Sequence, residues 1–465
     1  MTPGVLTAVV VAIGIGLRLL HYLRNPDVWH DEAALLVNVI ERDYASLLGP
    51  LTYHEAAPPL FLWLERWIAI TIGDSPWMMR LAPLVASCFA LIVFVPVART
   101  LRSVATPVAL ILMACSTQLI AHSVEAKPYA IDVLIATAAA AFFVTTRAWP
   151  MAQRVAMCIA ASPLVVFASY PGVFVIAGLI AALAMANRRE QSRAAWALCG
   201  VLAAVSAVSV LLLVIGPARA QRSPTILADW RWAFPPGLDP LSLAVWLGRS
   251  LVGLADYCFR PFGGMLLIPI GVGLAALWRR RERDLVVLLV LPIVLAMAAG
   301  LAGQYPFSGS RVMIYALPAL AFLCAEGLAR IADQVRDRSP LLHATIAALI
   351  VLPPAVLSAR DMIGPDRRPQ TAAAAALVLA ARGPDDLVAS GNWESRYYFR
   401  SLGSRFVRLD EQPLPPGEQR VWCVIHGPTP DSRRQHLAAA IGDAYDIVST
   451  IDLVGLSVIE IGPRR

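Results

Sequence analysis

The chain is 465 residues long, 58% hydrophobic and only 15% charged, with a mean hydropathy of +0.64; a water-soluble domain of this length would carry far more surface charge. Its net charge of +7 does not point to nucleic acid, because the part from Arg360 onward is balanced at 13 Arg against 13 Asp plus Glu. The excess belongs to the apolar part, where basic cytoplasmic loops are expected. Seven Cys without a CxxC pair give no disulfide framework, and Cys88, Cys115, Cys158, Cys199 and Cys324 fall inside apolar runs as plain buried thiols.

Apolar runs long enough to span a bilayer recur near 4–24, 58–73, 78–98, 106–122, 128–146, 155–170, 171–187, 194–216, 262–278, 284–302, 311–329 and 340–358. The first has no small-residue cleavage site and reads as a retained span. The run 58–73 is short and carries Glu65 and Arg66 at its middle. A charged pair at the bilayer centre is expensive, so this run reads as a helix lying at the interface. About eleven spans remain. With the N-terminus in the cytoplasm, the inner loops hold Arg99, Arg102, Arg147, Arg154, Arg188, Arg189, Arg193, Arg279, Arg280, Arg281, Arg283, Arg330, Arg336 and Arg338. The short outer loops hold only Lys127 and Arg311, and this bias sets the orientation. The expected organisation is a transmembrane part, 1–359, with outer loops at about 25–77, 122–128, 216–261 and 303–311, and an outer tail, 360–465. Multi-pass insertion in a cell's inner (plasma) membrane follows, with membrane lipids as neighbours and no nucleic-acid partner. Arginine is used almost throughout, with Lys127 the sole lysine, and alanine is abundant; this looks like codon usage in a GC-rich bacterium.

The tail reads as a small α/β domain: an Ala-rich helix 370–382, strands at 387–390, 406–409, 421–425 and 447–461, and a helix capped by Asp431. It has no Gly-rich phosphate loop and no metal-ligand spacing.

The chemistry-bearing residues lie on the outer face. Trp29-His30-Asp31-Glu32 opens the first outer loop. Asp31 there is either the cap of a helix 32–42 or a reactive carboxylate, and both readings can hold together. His54-Glu55-Ala56-Ala57-Pro58-Pro59-Leu60 closes the loop, its paired prolines starting a helix. The second outer turn reads His122-Ser123-Val124-Glu125-Ala126-Lys127-Pro128-Tyr129, with Asp132 one helical face further on. Pro128 starts an inward-running span, so Lys127 stands at a helix N-terminus, a natural anion site. Tyr305-Pro306-Phe307-Ser308-Gly309-Ser310-Arg311 repeats that geometry, with Ser310 as a cap. Two cations at two helix starts on one face suit a phosphate at the membrane surface; Arg260 is a weaker third. Interfacial charge and a snorkelling Arg311 are the plain alternatives. The outer aromatics Trp29, Tyr53, Trp63, Trp77, Trp230 and Trp232 form an interfacial belt, and some suit stacking on a sugar.

Over residues 1–330 this pattern resembles the C-type (GT-C) glycosyltransferase superfamily, in the bacterial branch similar to protein O-mannosyltransferases and aminoarabinose transferases (glycosyltransferase family 39-like). The likeness rests on Asp31-Glu32, on His54 with Pro58-Pro59-Leu60, on Glu125-Ala126-Lys127-Pro128-Tyr129, and on Arg311, Tyr315 and Pro318. It departs in the Glu55-Ala56-Ala57 insertion before the prolines and in Lys127, where many relatives carry Arg. The resemblance implies an α-helical polytopic membrane protein of GT-C-like fold with a small C-terminal extracytoplasmic α/β domain. It implies sugar transfer, with inversion, from a polyprenyl-phosphate-linked donor to a hydroxyl on an acceptor glycan, lipid or protein. Asp31 would be the general base, assisted by Glu32 and Glu125; Lys127, Arg311 and Arg260 would bind the donor phosphate; His54, Tyr129 and Tyr305 would contact substrate. Glu125 would orient the acceptor, position Lys127 or join Asp31 on a divalent ion, since some relatives use a metal and others do not. The rival class is a transporter or flippase of a lipid-linked anionic glycan. That class would place charge near the bilayer midplane in paired repeats, whereas mid-span acids here are few: Glu65, Asp132 and Glu326.

Overall fold

The computed structural model describes residues 3–261, 263–336, 340–364, 368–414, 419–441 and 444–464; Arg338, counted above among the inner-loop arginines, lies outside them. Helices stand at each of the eleven expected span positions. Among the described residues seven are long and apolar enough to cross a membrane, or eight if Pro240–Cys258 and Gly263–Arg279, bent by 104°, form one broken span. The chain is thus a helical membrane protein carrying a small C-terminal sheet domain.

One difference from the sequence pattern and one agreement with it have physical causes. The run 106–122 breaks into the helices Ala105–Ala114 and Thr117–His122. The break is explained by Arg18, fully buried in helix α1 (Pro3–Arg24). A guanidinium in an apolar body needs acceptors, and Arg18 finds them in Gly14 O (2.8 Å), Met113 O and Ala114 O (both 3.1 Å) and Ser87 Oγ (2.8 Å). The freed carbonyls of the ended helix are the negative pole of its dipole. Ser116 then caps the next turn by accepting from Leu119 N. The run 58–73 forms the 13-residue helix α3 (Pro59–Thr71), with Pro58 at its cap. Glu65 on it is buried, and Arg66 Nη1 donates to Val39 O and Ile40 O at the carbonyl end of helix α2 (His30–Glu41). Its other side leaves Trp63, Leu64, Trp67 and Ile70 exposed, as suits a helix lying in a headgroup layer.

The loops expected inside gather at one end of the helical body. There Arg102 pairs with Asp333, Arg147 with Glu282 (2.9 Å), Arg189 with Asp284 (3.5 Å) and Arg280 with Glu326 (3.2 Å). The loops expected outside meet at the opposite end, under the C-terminal domain.

That domain holds strands β1 (Leu387–Ser390), β2 (Phe406–Arg408), β3 (Val421–His426), β4 (Tyr445–Leu453) and β5 (Leu456–Pro463). Their order is β2-β1-β3-β5-β4. β1 runs parallel to β2 and β3, while β5 runs antiparallel to β3 and β4. The single strand expected over 447–461 is instead the β4–β5 hairpin, turned at Gly455, whose φ of +76° a side chain would oppose. Helices Thr371–Ala381 and Pro430–Ile441 cover the sheet, with Val388, Phe406, Trp422 and Val458 filling one face and Val407, Cys423, Leu437 and Ile459 the other.

Candidate active site

Helix α2 begins at His30, with Trp29 in the cap position and no side-chain cap bond. Asp31 therefore does not cap a helix, contrary to one reading of the sequence; it sits in the first turn. Successive helical residues point about 100° apart, so the adjacent carboxylates separate. Asp31 turns outward to form an ion pair with Arg311. Glu32 turns inward, fully buried, and receives Arg80 Nε and Nη2 at 2.7 Å each. Glu32 Oε1 also accepts from Ala126 N at 3.0 Å. This one carboxylate ties the first outer loop to the helix of Arg80 and to the second outer turn.

In that second turn Glu125 Oε2 lies 2.7 Å from His122 Nδ1, and His122 Nε2 lies 2.6 Å from Tyr257 Oη. Lys127 is buried and donates to both oxygens of Glu55 at 2.8 Å. Burial pushes the Glu55 carboxyl above the usual range, and Lys127 only partly offsets this. Burial would do the same to Glu125, but His122, with Arg368 and Arg311 behind it, holds Glu125 below the usual range. Pro128 occupies the cap of the helix Tyr129–Thr145, one position earlier than the sequence suggests. Asp132 is not part of the cluster's ion pairs; it accepts from Ser169 Oγ at 2.6 Å.

The fourth outer turn carries Arg311 at the start of a 3-10 segment, Arg311–Ala316. Ser310 stands at its cap but makes no cap bond, and its hydroxyl is buried without a hydrogen-bond partner. The turn lies so close to the helix Pro240–Cys258 that a Cβ on Gly309 would stand 2.2 Å from Gly253 O. Tyr305 Oη closes the turn by donating to Val312 O at 2.6 Å. The Arg311 guanidinium sits over Trp29 (5.6 Å) and Trp230 (5.5 Å), and both rings favour a cation there. Trp29 Nε1, Ser308 Oγ, Ser310 Oγ and Arg311 Nε are all buried without hydrogen-bond partners. Such groups are costly to leave unpaired, and here they are donors beside a cation, a composition suited to an anionic ligand.

Of the residues singled out from sequence, Asp31, Glu125, Lys127 and Arg311 come together, with the Tyr129 ring 4.9 Å from His122. Three others are placed differently. His54 is exposed, in the left-handed region at φ 54°. Arg260 is exposed and has no ion pair among the described residues. The Tyr305 hydroxyl is engaged by backbone. Among the described residues no three His, Cys, Asp or Glu side chains assemble as a metal's ligands, and the carboxylates are held instead by Arg, Lys and His. Sequence reasoning passed over Glu55, Arg80, His122 and Arg368. The available signal for Glu55 was the sole lysine, which needed a counter-ion if buried.

No protein-family model matches the sequence, and no curated protein does. Solved structures do resemble the fold. ArnT from Cupriavidus metallidurans bound to undecaprenyl phosphate matches with a TM-score of 0.63 at 13% identity, over 99% of this chain and 98% of that one. Its apo state matches at 0.57 and 14%, over 97% of each. The Archaeoglobus fulgidus oligosaccharyltransferase tethered to an acceptor peptide containing the NVT sequon matches at 0.50 and 12%, over 95% of this chain and 69% of that one. ArnT is an aminoarabinose transferase, and all three have the GT-C glycosyltransferase fold. This chain has that fold.

Proposed function

We propose that the protein transfers a sugar from a polyprenyl-phosphate-linked donor to a hydroxyl group at the extracytoplasmic face. One observation carries the reading. A carboxylate of the first loop, Asp31, faces Arg311 beside the buried Lys127–Glu55 pair, in a fold that matches, over 99% of this chain, that of ArnT bound to undecaprenyl phosphate. The acceptor is a glycan, lipid or protein hydroxyl, and the sugar is a hexose or pentose. The arginine bias of the loops supports the outer placement.

In this mechanism Asp31 takes the proton of the acceptor hydroxyl as its oxygen attacks the anomeric carbon. The bond from that carbon to the phosphate oxygen breaks on the opposite side, inverting the centre. The oxygen leaves with the electron pair as lipid phosphate. The charge it gains is stabilised by Lys127 and Arg311, so no proton need be donated. The unpartnered donors Trp29 Nε1, Ser308 Oγ and Ser310 Oγ add hydrogen bonds around the same cation. Glu32 works at one remove, holding the Asp31 turn and the Lys127 turn in register through Arg80 and Ala126 N. In the ligand-free arrangement each cation is matched to a carboxylate, so the donor phosphate displaces Glu55 from Lys127 and shares Arg311 with Asp31.

The test is a turnover assay in nanodiscs with a panel of undecaprenyl-phosphate-linked hexoses and pentoses, following release of undecaprenyl phosphate. Wild type is expected to turn over a member of the panel while Asp31→Asn does not. Equal turnover by the variant removes Asp31 as base; turnover of no donor by wild type, with transbilayer movement of the lipid instead, replaces the enzyme with a flippase.

A further inference from the structure

We propose that Arg368, at the entry to the C-terminal domain, is a positioning residue of this site: it spans the buried carboxylates Glu32 and Glu125 and makes the seating of the sheet domain a condition of donor binding. The proposal rests on the glycosyltransferase reading above.

Arg368 Nη1 donates to Asp27 O at 2.8 Å and lies 3.8 Å from Glu32 Oε2, while Nη2 lies 3.8 Å from Glu125 Oε1. The chain around it is held from both sides. On the domain side, Gln370 N donates to Val454 O at 3.0 Å, Gln370 Oε1 accepts from Val454 N at 3.2 Å, and Pro369 packs against Gly455, where a Cβ would come within 3.0 Å of it. On the membrane side, Ala372 N donates to Asp27 Oδ2 at 3.0 Å. The seat continues on further contacts, of which the Arg400–Asp74 pair uses none of the cluster's charged residues. Arg400 pairs with Asp74 (2.8 Å), Tyr397 Oη donates to Asp74 O (2.8 Å), Val28 N donates to Tyr398 Oη (2.9 Å), and His30 stacks on Trp393 with ring centroids 3.9 Å apart.

Charge balance gives this contact its consequence. Asp31, Glu32, Glu55 and Glu125 are four carboxylates, faced by the cations Arg311, Arg80, Lys127 and Arg368 and, at Glu125, by the imidazole of His122 as well. Three of those cations belong to the membrane body and the fourth comes from the tail. Without Arg368 the arginine and lysine side chains number three against four carboxylates, and an incoming phosphate meets one positive charge fewer in a site of low dielectric. Glu125 is the group most affected. It is faced by His122, Arg368 and Arg311, by His21 of α1, and by the phenols of Tyr129 and Tyr257. Losing Arg368 removes one of the cations that keep it ionised, so its pKa rises and the Glu125–His122 pair that orders the Lys127 turn is lost at a higher pH.

The experiment uses the full chain in nanodiscs, with undecaprenyl phosphate as binding probe and the active donor of the panel above for kinetics. Arg368→Ala is expected to raise donor KM and the Kd for undecaprenyl phosphate about tenfold, with kcat near wild type at neutral pH, and to move the acid limb of the rate profile to higher pH. Arg368→Lys restores most of the affinity. Asp74→Ala, which loosens the seat without touching the cluster, raises KM in the wild-type background and adds nothing to Arg368→Ala. Wild-type KM and an unmoved acid limb in Arg368→Ala overturn the proposal, as does additivity with Asp74→Ala. If Arg368→Ala fails to fold, the near-isosteric Arg368→Gln stands in for it with the same expectations. A wild-type chain that neither binds the lipid phosphate nor transfers a sugar overturns the enzyme reading and this inference with it, whereas an active wild type beside indifferent variants overturns the inference alone.

Discussion

The two ends of the helical body use the same residue types to opposite effect. At the end expected inside, the ion pairs keep their arginines in solvent: Arg147 and Glu282 are 40% and 30% exposed, and Arg189 and Arg280 are 63% and 39% exposed over the buried Asp284 and Glu326. At the outer end Arg80 and Glu32 are both at 0%, and Lys127 and Glu55 at 5% and 11%. Exposed pairs are screened and contribute little; a positive excess among them is the mark expected of cytoplasmic loops. Buried charges are costly and persist only when each is matched, and a cluster of matched buried pairs is ready to exchange one anion for another. On the proposed reading, arginine is a topological signal at one end and part of the chemistry at the other.

The contrast breaks most visibly at Asp31. Replacement by Asn is expected to lower transfer by about 10²–10⁴-fold, the usual worth of a positioned base, with the thermal midpoint unchanged and lipid-phosphate binding retained. Its neighbour should behave oppositely. Glu32→Ala strands a buried Arg80 and is expected to destabilise the protein by about 3–5 kcal/mol, read by thermal or denaturant unfolding in detergent, so that activity falls with the folded fraction. Lys127→Ala should weaken binding of undecaprenyl phosphate about 10–100-fold, equivalent to about 1.5–3 kcal/mol for hydrogen bonds to a charged group, as titrated by native mass spectrometry. Glu55→Gln should tighten it several-fold by removing the competing anion.

The pH dependence follows from the opposite shifts of two carboxyls. The folded-state pKa of Glu55 is raised by burial, so Glu55 gains its proton first as pH falls from neutral and releases Lys127. Binding should therefore tighten on mild acidification in wild type more than in Glu55→Gln. Glu125 is depressed, so the stability it contributes is present above its unfolded pKa and is lost only as pH falls through the lower folded value. The smallest effect belongs to the inner end: Arg147→Ala should change stability by less than about 1 kcal/mol and leave turnover alone. A large effect there would erase the distinction between the two ends.

Much of this was legible in the sequence. The arginine bias placed Asp31, Glu125, Lys127 and Arg311 on one face, because it depends on composition of loops and not on packing. The interfacial reading of 58–73 followed from the shortness of the run and from Glu65 and Arg66 at its middle. What escaped depended on contacts across long stretches of chain. Nothing local says that Asp31 turns outward while Glu32 turns in; that is decided by Arg80, 48 residues away. Glu55 pairs with a lysine 72 residues on. The break in 106–122 exists for Arg18, whose acceptors lie 95 and 96 residues from it. Arg368 looked like one more basic residue of a balanced tail until the fold brought it to the carboxylates of the first and second outer loops.

The central claim is that Lys127 and Arg311 form the cradle for a lipid phosphate. A cryo-EM map of the full chain with undecaprenyl phosphate tests it most directly. The account predicts phosphate density within hydrogen-bond distance of Lys127 Nζ and the Arg311 guanidinium, with Glu55 moved away from the lysine. Phosphate bound elsewhere, with the Lys127–Glu55 and Arg311–Asp31 pairs intact, would contradict it.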